Sequence, residues 1–201
     1  MSESVQQLRT RNLQTLTVLA GLFLVPLVLA FFLYYGTGWR PAAHLNHGTL
    51  ITPPRPLPES SLVRLLPENA TAAPPLFPGK WSLVYVGDGA CDADCHAALY
   101  VMRQTRLSLN TDMGRVARVF LVTGGCCDRA FLAAEHQGLD VRDAAAGQAQ
   151  TLLAAFPPDG RAHTLFVVDP LGNLMMSYDA REDPHGLLED LKKLLRLSQI
   201  G

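Results

Sequence analysis

Trp81-Ser-Leu-Val-Tyr-Val-Gly-Asp-Gly-Ala-Cys91-Asp-Ala-Asp-Cys95-His96 is the stretch from which the fold is read. Its apolar, β-branched run from Leu83 to Val86 predicts a buried strand, and Gly87-Asp88-Gly89 ends that strand. Two cysteines follow at a spacing of four; after them Ala98, Val101, Met102, Thr105 and Leu109 recur at helical spacing. The order is strand, tight loop, thiols, helix. It sets both sulfurs at or just inside a helix N-terminus, where the macrodipole and free N–H groups favour thiolate over thiol. Asp92 and Asp94, lying between the cysteines, oppose this by like-charge repulsion.

Toward the C-terminus, Val116 to Val122 predicts a second buried strand, ending in Thr123-Gly-Gly-Cys126-Cys127-Asp128. Short helices are expected over 130–136 and 148–156. A third strand over 163–169 opens on His163 and leads through the Pro170-Leu-Gly172-Asn173 turn to a fourth over 174–178. Asp183 is a natural N-cap with Pro184 at the first helical position, and Leu187, Leu188, Leu191, Leu194 and Leu195 then share one helix face. This βαβ…ββα order predicts an α/β domain over 79–201: a thioredoxin-like mixed sheet with flanking helices.

Toward the N-terminus the composition changes twice. Nine of the chain's fourteen prolines fall between Pro41 and Pro78, which suggests a semi-rigid linker over 37–78 with at most a short strand at 62–66. His44 and His47 in this stretch read as solvated linker residues before metal ligands. From Leu16 to Tyr35 no residue is charged; about 20 helical residues at ~1.5 Å each span a ~30 Å hydrocarbon core. A transmembrane anchor is therefore expected over 14–36, with a cytoplasmic N-terminus over 1–13. The run is longer than the apolar core of a cleaved signal peptide, the rival reading. Arg9 and Arg11 before it, against Arg40 after it, direct the C-terminal domain to the periplasmic side of the inner membrane.

A net charge of -1 and a pI near 6.6 provide no basic field for nucleic acid. Four cysteines are too few for a disulfide-stapled scaffold, and their grouping as Cys91/Cys95 and Cys126/Cys127 points to site chemistry. Thiolates one helical turn apart face the same side. Soft thiolates select Cu(I), with an imidazole as a natural third ligand. Zinc could recruit Cys126 or His96 as well. The same spacing suits a disulfide, redox-active or inert. Cys126 could serve the first pair as an extra ligand or a resolving thiol; the plainer reading, one buried and one incidental thiol, is preferred, since adjacent cysteines seldom bridge each other without strain. Met175 and Met176 alternate faces in a strand, so at least one is expected in the core.

The CxxxC after a strand, a histidine ahead of a strand ending in Asp169-Pro-x-Gly172, the single anchor and the proline-rich spacer together resemble the Sco/SenC family. That resemblance implies a membrane-tethered copper-binding protein that assists copper insertion into a terminal cytochrome c oxidase. Its partner would be the copper-receiving oxidase subunit, and its metal ligands Cys91, Cys95 and His163, with copper held as Cu(I). The chain departs from the family in carrying Asp92 and His96 where proline is usual. An ungapped comparison sets Arg161 at the metal position and His163 where thioredoxins carry a cis-proline. The alternatives are a thiol–disulfide oxidoreductase acting on a copper-site partner through Cys91 and Cys95, and a tethered interaction domain with a structural disulfide.

Overall fold

The computed structural model describes residues 2–37, 46–66, 75–77, 79–145, 147–198 and 200. The chain divides into two units, Met1–His44 and Leu45–Gly201. The first is built on helix α1, Ser2–Gly36. Within it Arg11–Gly36 contains an 18-residue window of mean hydropathy 2.7 with no buried side chain, so it is long and apolar enough to cross a membrane. The helix begins well before residue 14, and the polar residues expected to precede the anchor are helical too.

The second unit is one sheet of seven strands. The strands are β1 (Thr49–Pro56), β2 (Arg64–Leu66), β3 (Trp81–Gly87), β4 (Val116–Val122), β5 (Asp140–Asp143), β6 (Thr164–Val168) and β7 (Asn173–Asp179). Between them run α2 (Ala93–Leu107), α3 (Arg129–Glu135) and α4 (Gln150–Ala155); α5 (Pro184–Leu197) closes the chain. The strand order is β1-β7-β6-β3-β4-β5-β2. β3, β4 and β5 are parallel, whereas β6, β7, β1 and β2 each pair antiparallel with their neighbours. The expected mixed sheet with flanking helices is thus present.

β3 is central and covered on both faces, which is why it reads as a continuous apolar run instead of alternating. Trp81, Leu83 and Tyr85 join one core cluster with Leu99, Met102, Leu187 and Leu191 from α2 and α5. Val84 and Val86 join the other with Leu152 and Phe166. Each fully buried Leu, Val or Phe contributes roughly 1.5–3 kcal/mol of burial. Two clusters on one sheet therefore fix its position firmly. Met176 is buried, as expected of one of the two methionines, and Met175 packs at the edge of the same cluster.

The proline-rich segment departs from expectation. Part of the stretch read as linker forms both edges of the sheet: β1 pairs with β7 and β2 with β5. Prolines are tolerated because an edge strand has one side free of ladder bonds. Tertiary contacts hold both edges in place. The buried Asp190 carboxylate on α5 accepts from the backbone N–H of His47 (2.7 Å) and Gly48 (3.0 Å) at the entry to β1. Asp140 bridges Arg64 of β2 (2.8 Å) and the fully buried Arg142 (2.9 Å). His47 also meets Glu189 at 3.0 Å, a structural role; His44 lies outside the described residues, as do 38–45, 67–74 and Pro78.

Candidate functional site

β3 delivers the site and α2 receives it. At the end of β3, Asp88 Oδ1 accepts from Ala90 N (2.8 Å), and the Asp88 carbonyl accepts from Cys91 N (3.2 Å), folding the loop back on itself. Cys91 takes a left-handed φ of 48°, an uncommon conformation for a residue with a Cβ. Asp92 is the N-cap of α2, its side chain accepting from Cys95 N at 3.0 Å. The cap therefore sits between the cysteines, with Cys91 just outside the helix and Cys95 in its first turn. Their Cα atoms are 5.0 Å apart and their sulfurs are joined. Both are buried, Cys91 at 8% and Cys95 at 2% exposure.

The pair opens on a cavity of about 460 Å³ whose walls include Tyr85, Asp88, Thr123, Leu153, Arg161 and Ala162. Burial, helped by the Asp92 and Asp94 carboxylates, pushes the Tyr85 phenol up to about 12. It stays protonated and donates to the Ala162 carbonyl at 2.8 Å, tying the turn before β6 to the site. Arg161 in that turn does not present its guanidinium freely. It donates to the carbonyls of Leu153 (2.7 Å), Pro157 (2.9 Å) and Phe156 around the end of α4, where a cation suits the negative end of a helix.

The turn at Arg161–His163 separates two residues that the sequence set close together. Arg161 and Ala162 face the cavity, while His163 points to Asp179 of β7, Nε2 to Oδ2 at 3.7 Å. Asp179 is held near 2, chiefly by its hydrogen bond from Arg181, with His163 a minor contributor. His96 is exposed and packs at a tilt against Phe131 of α3, centroids 4.3 Å apart and planes inclined at 51°. Among the described residues no three His, Cys, Asp or Glu side chains converge as a metal cluster. The Asp169-Pro-Leu-Gly172 turn lies at the opposite end of β6, with Asp169 Oδ1 accepting from Leu171 N and Asn173 N at 2.9 and 2.7 Å.

A second cysteine pair sits on the neighbouring loop, after β4. There Cys126 is exposed and Cys127 half-buried, with their sulfurs also joined. Asp128 caps α3 from the next position, accepting from Phe131 N at 2.9 Å. The two loops touch through backbone. Gly89 is buried, and a Cβ there would fall 2.9 Å from Cys126 Cα and still closer to the Gly125 carbonyl oxygen. Cys127 packs against the core cluster that contains Cys91 and Cys95. The sequence suggested Cys126 as an extra ligand or resolving thiol for the first pair but gave no sign of this backbone contact.

Comparisons with known proteins agree with this architecture. Residues 81–198 match the family described as transmembrane-like, thioredoxin-like, C-terminal domain. The solution structure of apo Sco1 from Thermus thermophilus superposes with a TM-score of 0.59 at 19% identity, covering 76% of this chain and 99% of that one. Copper-bound yeast Sco1 gives 0.59 at 12% identity, over 71% of this chain and 94% of that one. BsSco, described by its disulfide switch and as a member of the Sco family of cytochrome c oxidase assembly proteins, gives 0.52 at 13% identity over 72% and 96%. The Sco/SenC resemblance read from the motifs is found again in the fold. No curated protein is significantly similar in sequence.

Proposed function

Since the chain belongs to the transmembrane-like, thioredoxin-like C-terminal domain family, we propose that it is a membrane-tethered, Sco-like protein that handles copper for a terminal oxidase through Cys91 and Cys95. The observation that carries this reading is the pair itself: two sulfurs in contact at the cap of α2, opening on a cavity. Reduced, they offer two soft thiolates, a donor set that favours Cu(I). Copper in this reading is cargo. Two protein thiolates with no built third ligand hold it in a form that a recipient with more ligands can take away. The copper-bound Sco1 of yeast shares the fold and supports the assignment.

His163 is the histidine that the resemblance nominates as third ligand. Its Nε2 faces Asp179, so in this reading Nδ1 is the nitrogen left to join the cysteines, with the carboxylate orienting the ring. Arg161, nearer the cavity, is no substitute, because a guanidinium carries no free lone pair for a metal. The apolar helix α1 anchors the domain, and the arginine balance in the sequence favours the periplasmic side.

The joined state of Cys91 and Cys95 favours a second reading. In it the pair is a thiol–disulfide oxidoreductase that keeps a partner's copper-site cysteines reduced. One titration separates the two. Reduced full-length protein in detergent is titrated with Cu(I) in competition with a chelator, alongside Cys91→Ser, Cys95→Ser and His163→Ala. One-to-one binding that is lost in both serine variants is expected. No copper binding, with a reversibly reducible Cys91–Cys95 bond, would sink the copper reading and leave the oxidoreductase. Affinity unchanged in His163→Ala would remove that histidine from the ligand set.

A further inference from the structure

The four cysteines form two pairs on two loops that touch, and the pairs differ in access. Cys91 and Cys95 are buried beneath the cap of α2. Cys126 is exposed, and Cys127 packs on the cluster containing the first pair. The loops meet where Gly89 lies against Gly125 and Cys126 with no room for a side chain. Gly89 is two residues from Cys91. A protein partner meets Cys126 first, and the backbone contact holds Cys126 next to the loop that carries Cys91.

We propose that Cys126 and Cys127 are an intramolecular relay that passes reducing equivalents from an external protein dithiol to the buried Cys91–Cys95 disulfide. This deepens the proposed function, on which it rests, by naming how the buried thiols are kept reduced. The chemistry balances in three exchanges. First, the external dithiol reduces the Cys126–Cys127 bond and leaves as a disulfide. Next, the Cys126 thiolate attacks Sγ of Cys91; a Cys91–Cys126 bond forms, the Cys91–Cys95 bond breaks, and Cys95 departs as thiolate and takes a proton. Finally, the Cys127 thiolate attacks Sγ of Cys126, restoring the Cys126–Cys127 bond and releasing Cys91 as thiolate, which is protonated in turn. Two electrons and two protons have moved from one pair to the other.

Several features favour this direction. Cys91 is the sulfur attacked because it is the less buried of its pair and lies on the loop that meets Cys126. Attack at Cys91 leaves Cys95, in the first turn of α2, as the departing sulfur. Gly124 lies against Asp88 of the first loop, a second contact that keeps the two loops together, while nothing lies within 4 Å of the Cβ position of Gly125.

The test uses the full-length chain in detergent. Reduced thioredoxin serves as the external dithiol, a probe too large to enter the cavity. Reduction of Cys91–Cys95 is followed by alkylation and peptide mapping, in the parent and in Cys126→Ser. A rate about tenfold or more lower in Cys126→Ser is the expected result; equal rates would overturn the relay. In a second measurement, Cys95→Ser/Cys127→Ser is mildly oxidised. An intramolecular Cys91–Cys126 bond is expected, and only unpaired or intermolecularly linked cysteines would overturn the proposal. A Cys91–Cys95 bond that resists even dithiothreitol would sink the relay and the proposed function together. A working relay in a protein that binds no Cu(I) would sink the copper reading alone.

Discussion

The loops after β3 and after β4 have the same plan and opposite outcomes. Each leaves the C-terminal end of one of two adjacent parallel strands, runs through glycine, and brings two cysteines up to an aspartate that caps the next helix. After β3 the cap, Asp92, lies between the cysteines, so one of them is helical; both are buried. After β4 both cysteines precede the cap, Asp128, and only Cys127 reaches the core cluster, half-buried, while Cys126 is exposed. Being at the end of a strand is therefore not what buries a thiol here. Position relative to the N-cap accounts for Cys95, the one thiol inside a helix; Cys91 precedes Asp92 as Cys127 precedes Asp128, and it is buried through its packing in the core cluster.

The strongest way to break this comparison is to separate the loops. A Cβ at Gly89 meets backbone, which cannot rotate away. Gly89→Ala should therefore cost about 1–3 kcal/mol of stability, as overpacked sites do, read from the denaturant midpoint. Gly125→Ala is the control. Nothing lies within 4 Å of its Cβ position, so it should stay within about 0.5 kcal/mol of the parent. Equal losses would mean that the loops do not depend on that contact.

The caps sharpen it next. Asp92→Ala and Asp128→Ala each remove a side-chain acceptor from a helix start, and each should lose about 1 kcal/mol. They should part in thiol access. After reduction, Asp92→Ala should speed alkylation of Cys95, because the turn that buries it frays. Asp128→Ala should leave Cys126 reacting as in the parent, since that thiol is exposed already. A parallel rise at both sites would show that the cap position is not what sets burial.

The two loops were also unequally legible. Strand β3, its loop and α2 could be read because a β-branched run, a glycine turn and a 3.6-residue repeat are local signals. The caps at Asp92 and Asp128 are local too, yet neither was expected: in the sequence Asp92 reads only as a charge beside the thiols. The rest of what escaped reading is what other parts of the chain decide. β1 looked like linker because its prolines carry no strand signal, and only Asp190 and the β7 ladder make it an edge. β2 answers to the short strand expected at 62–66, but its partner β5 had no local signal, and the bridge through Asp140 to the buried Arg142 holds the two together. The histidine is the clearest case. A single turn of 3-10 helix over Arg161–His163 sends neighbouring side chains to different places, one to the end of α4 and the other to Asp179. Sequence spacing alone cannot resolve a rotation of that size.

Acid should act on one loop before the other, with the smallest effect of the three. His136, at the C-terminal end of α3, is 4% exposed and leaves its Nδ1 without a hydrogen bond. Burial first, then the positive charges of Arg118 and Arg103, push its imidazole down to about 4, against a weaker opposing pull from Glu135. Between pH 6.5 and about 4 the unfolded chain takes up a proton that the folded chain refuses. The stability that His136 confers as a neutral ring is thus complete above 6.5 and is lost as the pH falls toward 4. Since α3 carries the second loop, the local opening that follows should expose Cys127 while Cys95, under α2, stays covered. The measurement is labelling of the reduced protein with an acid-tolerant thiol reagent across that range. Cys127 should gain on Cys95 as the pH falls, and His136→Gln should remove the gain. An equal rise at both cysteines would mean that acid loosens the whole sheet and that the two loops do not differ in how they are held.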